Sequence, residues 1–239
     1  MLLTRSGACG KFARESRVRR PAVVRLLVAA GIASLTTAAC HEAAPGTSTR
    51  GSGTSVTVHR EVAPFATVEL AGANTVVIHV GAPRSVTVTG DDNLVARVTT
   101  VVRSRRLVID NTGSFSTKAP MHVAVSVPSL DGVELSGAGT VKVDGVASSD
   151  LSAELTGDGT LVVSGTARRA TAVLAGAGTL DLYDVLADAG TADLLGTGTI
   201  RINATNTLDA TLTGTGTILY RGNPTVTMDK TGTGTIVPE

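Results

Sequence analysis

Acidic residues are the first candidates for chemistry in this chain of 239 residues. Asp91 and Asp92 are adjacent, and paired carboxylates can supply the acid and the base of a glycoside hydrolase. The segment Gly90-Asp91-Asp92-Asn93 is also typical of a polar turn between strands, and we favour that interpretation. Stacked carboxylates can bind Ca²⁺, but an interrupted set is better explained as a solvated face. Such an interrupted set comprises Glu134, Glu154, Asp193 and Asp229, with Val173 and Thr211 between them.

The remaining reactive residue types follow no recognised catalytic or metal-binding spacing. The four histidines show none of the paired spacings typical of metal sites: His41, His59, His79 and His122. A Gly-x-Ser-x-Gly motif, which places a nucleophilic serine on a sharp turn, is missing from the sequence. We therefore predict that the protein has no catalytic, cofactor-binding or metal-binding residues and is not an enzyme.

The N-terminal segment predicts export. Seven basic residues and a short apolar run, Ala22 to Leu35, precede small residues and Cys40, as in a secretory signal peptide over residues 1–39. The segment Thr37-Ala38-Ala39-Cys40 resembles a bacterial lipobox, although Thr37 stands where leucine is preferred. Cys40 would be the one cysteine left after cleavage, because Cys9 lies in the removed part. We predict that Cys40 is lipidated and anchors the protein to a membrane of the bacterial envelope.

Charge argues against a nucleic-acid partner. Residues 1–39 hold seven of the 21 lysines and arginines and one of the 20 acidic residues, so the rest of the chain carries a net charge of −5. Phosphate binding needs a clustered basic surface, which this acidic body lacks. The basic group Arg97, Arg103, Arg105 and Arg106 alternates with valine and leucine and indicates a solvated strand face. Residues 40–55 are small and polar, and they predict a flexible tether before a folded region over residues 56–239.

An internal repeat dominates the folded region. Gly-x-Gly-Thr occurs six times at offsets of 18 to 20 residues, beginning at Gly137, Gly157, Gly176, Gly196, Gly214 and Gly232. Gly72-Ala73-Asn74-Thr75 is a degenerate seventh copy. Six copies cannot be nucleotide-binding loops, because each leads into a strand pattern instead of a helix.

Aligned copies show apolar columns that alternate with mostly polar ones on both sides of the glycines. Period-two alternation predicts two short strands per copy, joined by a glycine corner. The column two residues before the first glycine reads Leu135, Leu155, Leu174, Leu194, Leu212 and Lys230. The column directly after the threonine reads Val141, Leu161, Leu180, Ile200, Ile218 and Ile236.

A repeat of 18 to 20 residues fits one rung of a β-solenoid. At about 3.3 Å per residue it supplies a contour of about 60 to 66 Å, enough for one turn of a three-sided coil. Stacked aliphatic columns also explain why aromatic residues make up only 2% of the chain. The main structural alternative is an antiparallel meander or sandwich with one hairpin per repeat, but the corners lack hairpin pairs such as Asn-Gly.

These residues resemble the bacterial GIN-domain family, whose members are described as heads of autotransporter adhesins. The resemblance covers about residues 56–239 and includes Phe65 to Leu70, Val86 to Leu94, Leu107 to Ile109 and Val123 to Leu130. The glycine corners stand where the family motif repeats, with threonine in place of its Ile-Asn. The resemblance implies an all-β, right-handed parallel β-helix akin to pectin lyases, in an envelope protein without established catalytic residues.

We expect an exported, lipid-anchored envelope protein that binds a polysaccharide or a surface protein through a solenoid face. A carbohydrate-active enzyme and a ligand-sensing envelope module remain the alternatives. Fold alone does not separate these classes.

Overall fold

Strands that bend at regular intervals make up the computed structural model, which describes residues 48–239. The strands before the regular repeats are β1 (Thr49–Arg50), β2 (Ser55–His59), β3 (Thr67–Leu70), β4 (Thr75–Val80), β5 (Ser85–Asp91), β6 (Val98–Arg103), β7 (Arg106–Asn111), β8 (Phe115–Ser116), β9 (His122–Val127) and β10 (Gly132–Leu135). Those within the repeats are β11 (Thr140–Leu155), β12 (Thr160–Leu174), β13 (Thr179–Leu194), β14 (Thr199–Gly214), β15 (Thr217–Arg221), β16 (Thr225–Gly232) and β17 (Thr235–Pro238). A 3-10 turn, Val95–Arg97, separates β5 from β6.

Parallel stacking organises the repeats into a β-solenoid, as the sequence predicts, and the solenoid has about five turns. Equivalent positions of successive copies pair directly, for example Leu155 with Leu174 and Leu174 with Leu194. The long strands bend around the body, and the register between β11 and β12 shifts once, between Val143 and Val146. Because all pairings among β10 to β17 are parallel, the hairpin-based sandwich is excluded.

The predicted aliphatic columns form the core. Both columns are fully buried except at the C-terminal copy. The first column comprises Leu70, Leu135, Leu155, Leu174, Leu194 and Leu212, and the second Val76, Val141, Leu161, Leu180, Ile200 and Ile218. Leu195, one residue out of phase, is 56% exposed. The alternation of the sequence therefore corresponds to inward and outward side chains.

The corner glycines are required by close backbone stacking. A Cβ on Gly157 would collide with the carbonyl oxygen of Gly137, and one on Gly159 with that of Gly139. The threonine N–H after each corner donates to the carbonyl of the preceding corner, as from Thr160 to Gly139 at 3.1 Å. Neither Gly157 nor Gly159 has a positive φ, so unusual backbone angles are not the reason for glycine at these two positions.

The first rungs stack in a different order from their order along the chain. The degenerate copy at Gly72 lies directly against the corner at Gly137, because β3 pairs with β10 and β4 pairs with β11. On its other side β3 pairs with β7 and β4 with β9, although both partners come later in the sequence. Antiparallel strands β2, β5 and β6 then close this end of the solenoid.

The N-terminal residues that the structure describes are attached to this closed end. Thr49–Arg50 pairs with Phe115–Ser116, and Gly51 is buried against the carboxylate of Asp91. The described end of the predicted tether, residues 48–55, is therefore folded onto the domain. The predicted signal peptide, Cys40 and residues 41–47 lie outside the described residues. Within the described part of the chain, no helix has the length and apolar character needed to cross a membrane.

The opposite end of the solenoid carries residues that disfavour further strand addition. Lys230 occupies the leucine column beside Leu212, and Pro238 lies on the last strand beside Tyr220. Charged inward positions and proline are common on strand edges that do not pair with another chain. Among the described residues, the leucine column therefore ends at Leu212, although Ile236 still packs against the core.

Loss of a column side chain tests this packing. We expect Leu174→Ala to lower the free energy of unfolding by about 2 to 5 kcal/mol, because it leaves a cavity between fully buried neighbours. Leu195→Ala is the matched control and should change it by less than about 0.5 kcal/mol. Chemical denaturation followed by circular dichroism measures both. Equal effects of the two substitutions would contradict the column assignment.

Candidate ligand groove

A continuous polar groove runs across successive rungs on the face that precedes the glycine corners. Three adjoining concavities form it, with volumes of about 150, 670 and 410 Å³. The first two share Asp131 and Ser152, and the last two share Arg169. The groove extends from Arg106 on β7 to Thr227 on β16.

The groove lies where the strands change direction. Along β12 the buried positions Ala167 and Ala170 are three residues apart, and the two arginines between them are both exposed. Arg169 lines the groove, whereas Arg168 does not. Because the strand changes direction here, Arg169 lines the groove and its neighbour Arg168 lies outside it.

Hydroxyl groups repeat along the groove because outward positions of parallel strands stack in register. The column five residues before the first corner glycine is mostly small or hydroxyl-bearing: Thr67, Gly132, Ser152, Thr171, Thr191, Asp209 and Thr227. A neighbouring column contains Asp150, Arg169, Ala189, Thr207 and Thr225. Every copy of the repeat therefore adds one or two polar groups to the same surface.

Charges in the groove are partly paired. Arg169 forms an ion pair with Asp150 at 2.7 Å, and both side chains are 62% exposed. Arg106 reaches across two strands to the carboxylates of Glu69 and Glu134. Two arginines and five carboxylates line the three concavities, so the groove is acidic overall.

The carboxyl group of Glu134 lies in the groove between two other glutamates. Partial burial raises the pKa of Glu134 above its ordinary value, and repulsion from Glu69 and Glu154 adds to that effect. The Arg106 guanidinium opposes the shift. The predicted acidic column thus enters the groove at Glu134 and Glu154, which lie on adjacent strands. No group of three metal-ligating side chains occurs among residues 48–239.

Asp91 and Asp92 lie away from the groove at the closed end. The Asp91 side chain is buried and accepts hydrogen bonds from the backbone N–H groups of Gly53 at 2.6 Å, Lys118 at 2.9 Å and Ala119 at 3.2 Å. Asp92 is exposed and contacts Ser52. Asp91 therefore holds two loops together, as a structural turn residue.

A serine, a histidine and an aspartate, the residue types of a catalytic triad, lie side by side at His79. Ser126, His79 and Asp144 are in register on adjacent strands, and His79 Nδ1 lies 2.7 Å from Asp144 Oδ1. The His79 ring makes no hydrogen bond to Ser126 in the described structure, and its side chain is 53% exposed. We interpret the row as an exposed histidine–aspartate pair on a flat sheet face.

Tyr183 is not available for stacking on a ligand. Its ring lies between the guanidinium groups of Arg201 and Arg221, whose carbons are 4.3 and 4.2 Å from the ring centre. Burial and the Glu239 carboxylate raise the pKa of Tyr183 to about 12. Arg201 also pairs with Asp181 at 3.1 Å. This cluster fixes the outer surface of the C-terminal rungs.

The sequence pattern placed the groove acids Glu134 and Glu154 on a solvated face. It did not indicate that Asp131, Asp150 and Arg169 line a groove. The hydroxyl column was visible in the aligned repeats. Its concave setting was not, because concavity depends on the bend that the strands make in three dimensions.

Comparison with known proteins assigns the chain to a protein family. Residues 64–224 match the family model described as "Putative auto-transporter adhesin, head GIN domain", and the chain belongs to this family. No curated protein matches the chain.

Solved structures share the fold at low sequence identity. A "putative adhesin" from Bacteroides fragilis NCTC 9343 is 24% identical, with a TM-score of 0.65 over 80% of this chain and 99% of its own. A "putative lipid binding protein" from Parabacteroides distasonis ATCC 8503 is 20% identical, with a TM-score of 0.52 over 81% of this chain and 100% of its own. A "putative adhesin" from the same strain is 18% identical, also with a TM-score of 0.52 and the same coverage of both chains.

The role of Asp91 predicts an acid-sensitive N-terminal attachment. Burial acts to raise the pKa of Asp91, but the three backbone N–H groups outweigh it and hold the pKa below the ordinary 3.8. Because the pKa is lower in the folded state, the ionised carboxylate of Asp91 stabilises the fold at pH values above the ordinary pKa. This stabilisation is lost as the pH falls through the folded-state pKa. We expect residues 49–54 to detach from the domain in strong acid, which amide hydrogen exchange followed by mass spectrometry measures.

The substitution Asp91→Asn should detach the same segment at neutral pH and expose Arg50 to cleavage by trypsin. An asparagine amide has one accepting oxygen, so its NH₂ must face either the N–H of Gly53 or those of Lys118 and Ala119, and it cannot accept a hydrogen bond from them. Limited proteolysis with mass spectrometry locates the cleavage, and Asp92→Asn is the control. Unchanged cleavage of the Asp91 variant would show that its carboxylate does not hold the segment.

Proposed function

We propose that this protein is exported, anchored to the bacterial envelope through a lipid on Cys40, and acts by binding an extended partner in its polar groove. The groove supports this proposal most directly, since it joins polar groups from eight stacked strands into one surface. The description of the family as adhesin heads agrees with a role in surface interaction.

The N-terminal sequence supports the anchoring part of the proposal. A basic segment, an apolar run and small residues precede Cys40, as in exported lipoproteins. Eight residue steps separate Cys40 from Ser48, so the chain between them spans at most about 29 Å. An anchor at Cys40 would therefore keep the closed end of the solenoid close to the membrane.

Substitution of the cysteine tests the anchor. Multiple acyl chains give stable membrane attachment, whereas one chain binds only marginally. We expect Cys40→Ser, expressed in a bacterium that processes lipoproteins, to move the protein from the membrane fraction to the soluble fraction. Fractionation and intact mass measure the outcome. A wild-type mature protein with an unmodified Cys40 would refute the lipid anchor.

Binding to envelope material tests the role of the groove. Thr191 and Thr199 are both outward threonines, but only Thr191 lines the groove. We expect Thr191→Met to reduce retention of the purified protein on immobilised bacterial envelope fractions by about tenfold or more, while Thr199→Met retains wild-type binding. Equal binding by both variants would exclude the groove as the interaction surface.

A carbohydrate-active enzyme is the second candidate, and one observation favours it. Glu134, whose pKa is raised, lies in register with Glu154 on the adjacent strand, and a pair of carboxyl groups can serve as acid and base. Incubation with polysaccharides and measurement of released reducing ends separates the two functions. Turnover that disappears in Glu134→Gln would replace the binding proposal with hydrolysis.

A further inference from the structure

The dimensions of the groove match a single linear chain. It crosses eight strands, from β7 to β16, which corresponds to a length of about 34 Å at about 4.8 Å per strand. Its two polar columns lie two residues apart along each strand, which is about 7 Å. A folded protein partner would need a broader contact, typically about 800 Å² on each side.

The groups that face the groove are side chains, because the backbone is already paired within the sheet. Strands β11 to β14 pair with a neighbour on both sides, so an extended peptide finds no free strand edge along this part of the groove. Peptide recognition by strand addition requires such an edge. The exposed hydroxyl groups both donate and accept hydrogen bonds, which is also true of the hydroxyl groups of a sugar.

The charge of the groove selects against polyanions. Asp131, Glu154 and Asp209 line it and have no ion-pair partner in the described structure. Both groove arginines are paired with carboxylates. A uronic acid polymer or a nucleic acid would bring its charges against these acids, and two paired arginines do not offset that repulsion.

We propose that the groove binds a linear, uncharged polysaccharide, with Arg169 and the nearby Thr171 and Thr191 as the central contacts. This proposal rests on the proposed function and adds the class of ligand. Arg169 lies at the junction of the two larger concavities and can donate to sugar oxygens on both sides. Thr171 and Thr191 follow it in the adjacent hydroxyl column. The groove contains no aromatic side chain, so hydrogen bonds along many sugar units supply the affinity.

The structure provides a matched pair of variants. Arg168 and Arg169 are adjacent and exposed, but only Arg169 lines the groove. The Arg169–Asp150 pair is exposed, and exposed pairs contribute little to stability. Arg169→Gln should therefore fold normally and bind neutral polysaccharide about tenfold more weakly, whereas Arg168→Gln should bind as the wild type does. Thr171→Val removes one groove hydroxyl and should also weaken binding.

Affinity electrophoresis of the purified protein provides the test. Gels contain soluble neutral glucans, mannans or galactans, and parallel gels contain polygalacturonate or poly-lysine. We expect retardation by a neutral polymer, loss of it in Arg169→Gln and Thr171→Val, and its retention in Arg168→Gln. Circular dichroism checks that each variant is folded.

Other results would overturn the ligand assignment. Retardation only by polygalacturonate or only by poly-lysine would assign the groove to an acidic glycan or a basic peptide. Equal retardation of the two arginine variants would place the sugar elsewhere. If no neutral polymer retards the protein while envelope fractions still retain it through Thr191, the ligand class is wrong but the binding function stands. Loss of both interactions would reject both proposals.

Discussion

Close stacking of backbone on backbone at the glycine corners is the constraint on which the solenoid depends. Each corner lies so near the preceding one that a Cβ on Gly157 or Gly159 would overlap a carbonyl oxygen. The threonine N–H after the corner then donates to that preceding corner at 3.0 to 3.1 Å throughout the repeats. Once the corners are in register, the strands on both sides are also in register, and their leucine, valine and isoleucine side chains form continuous columns. A narrow core of this kind needs no large aromatic residues.

A stack of parallel rungs leaves two ends, and this chain treats them differently. At the N-terminal end, later strands are placed before earlier ones, and antiparallel strands cover the core. The buried Asp91 carboxylate fastens the incoming chain to that cover. At the other end, Lys230 and Pro238 stand in the positions that would otherwise continue the stack. At the N-terminal end, the antiparallel strands protect the core by covering it. At the C-terminal end, the lysine and the proline disfavour pairing of the last strands with another strand.

Function is confined to the outward positions, because the inward positions and the corners are fixed by packing. Outward side chains on parallel strands also stack in columns, so a hydroxyl or charge that recurs in the repeat becomes a row on the surface. The row becomes a groove only where the strands change direction, beside Arg169. Under the proposed function, a repeated surface of this type suits a partner that is itself repetitive, because several weak contacts can then act together.

The sequence by itself determined the period, the strand positions and the buried columns, because every copy repeats the same local constraint. It favoured parallel stacking, but one hairpin per repeat satisfies the same alternation, and only the observed strand pairing excluded that alternative. It also located the degenerate copy at Gly72, which retains the columns although Asn74 replaces the second glycine. Tertiary structure decided which rung lies beside that copy, since the contact between Gly72 and Gly137 joins residues far apart in the chain. It also decided that Asp91 is buried and that Tyr183 is covered by arginines. These features depend on single contacts that occur once, so they leave no periodic signal in the sequence.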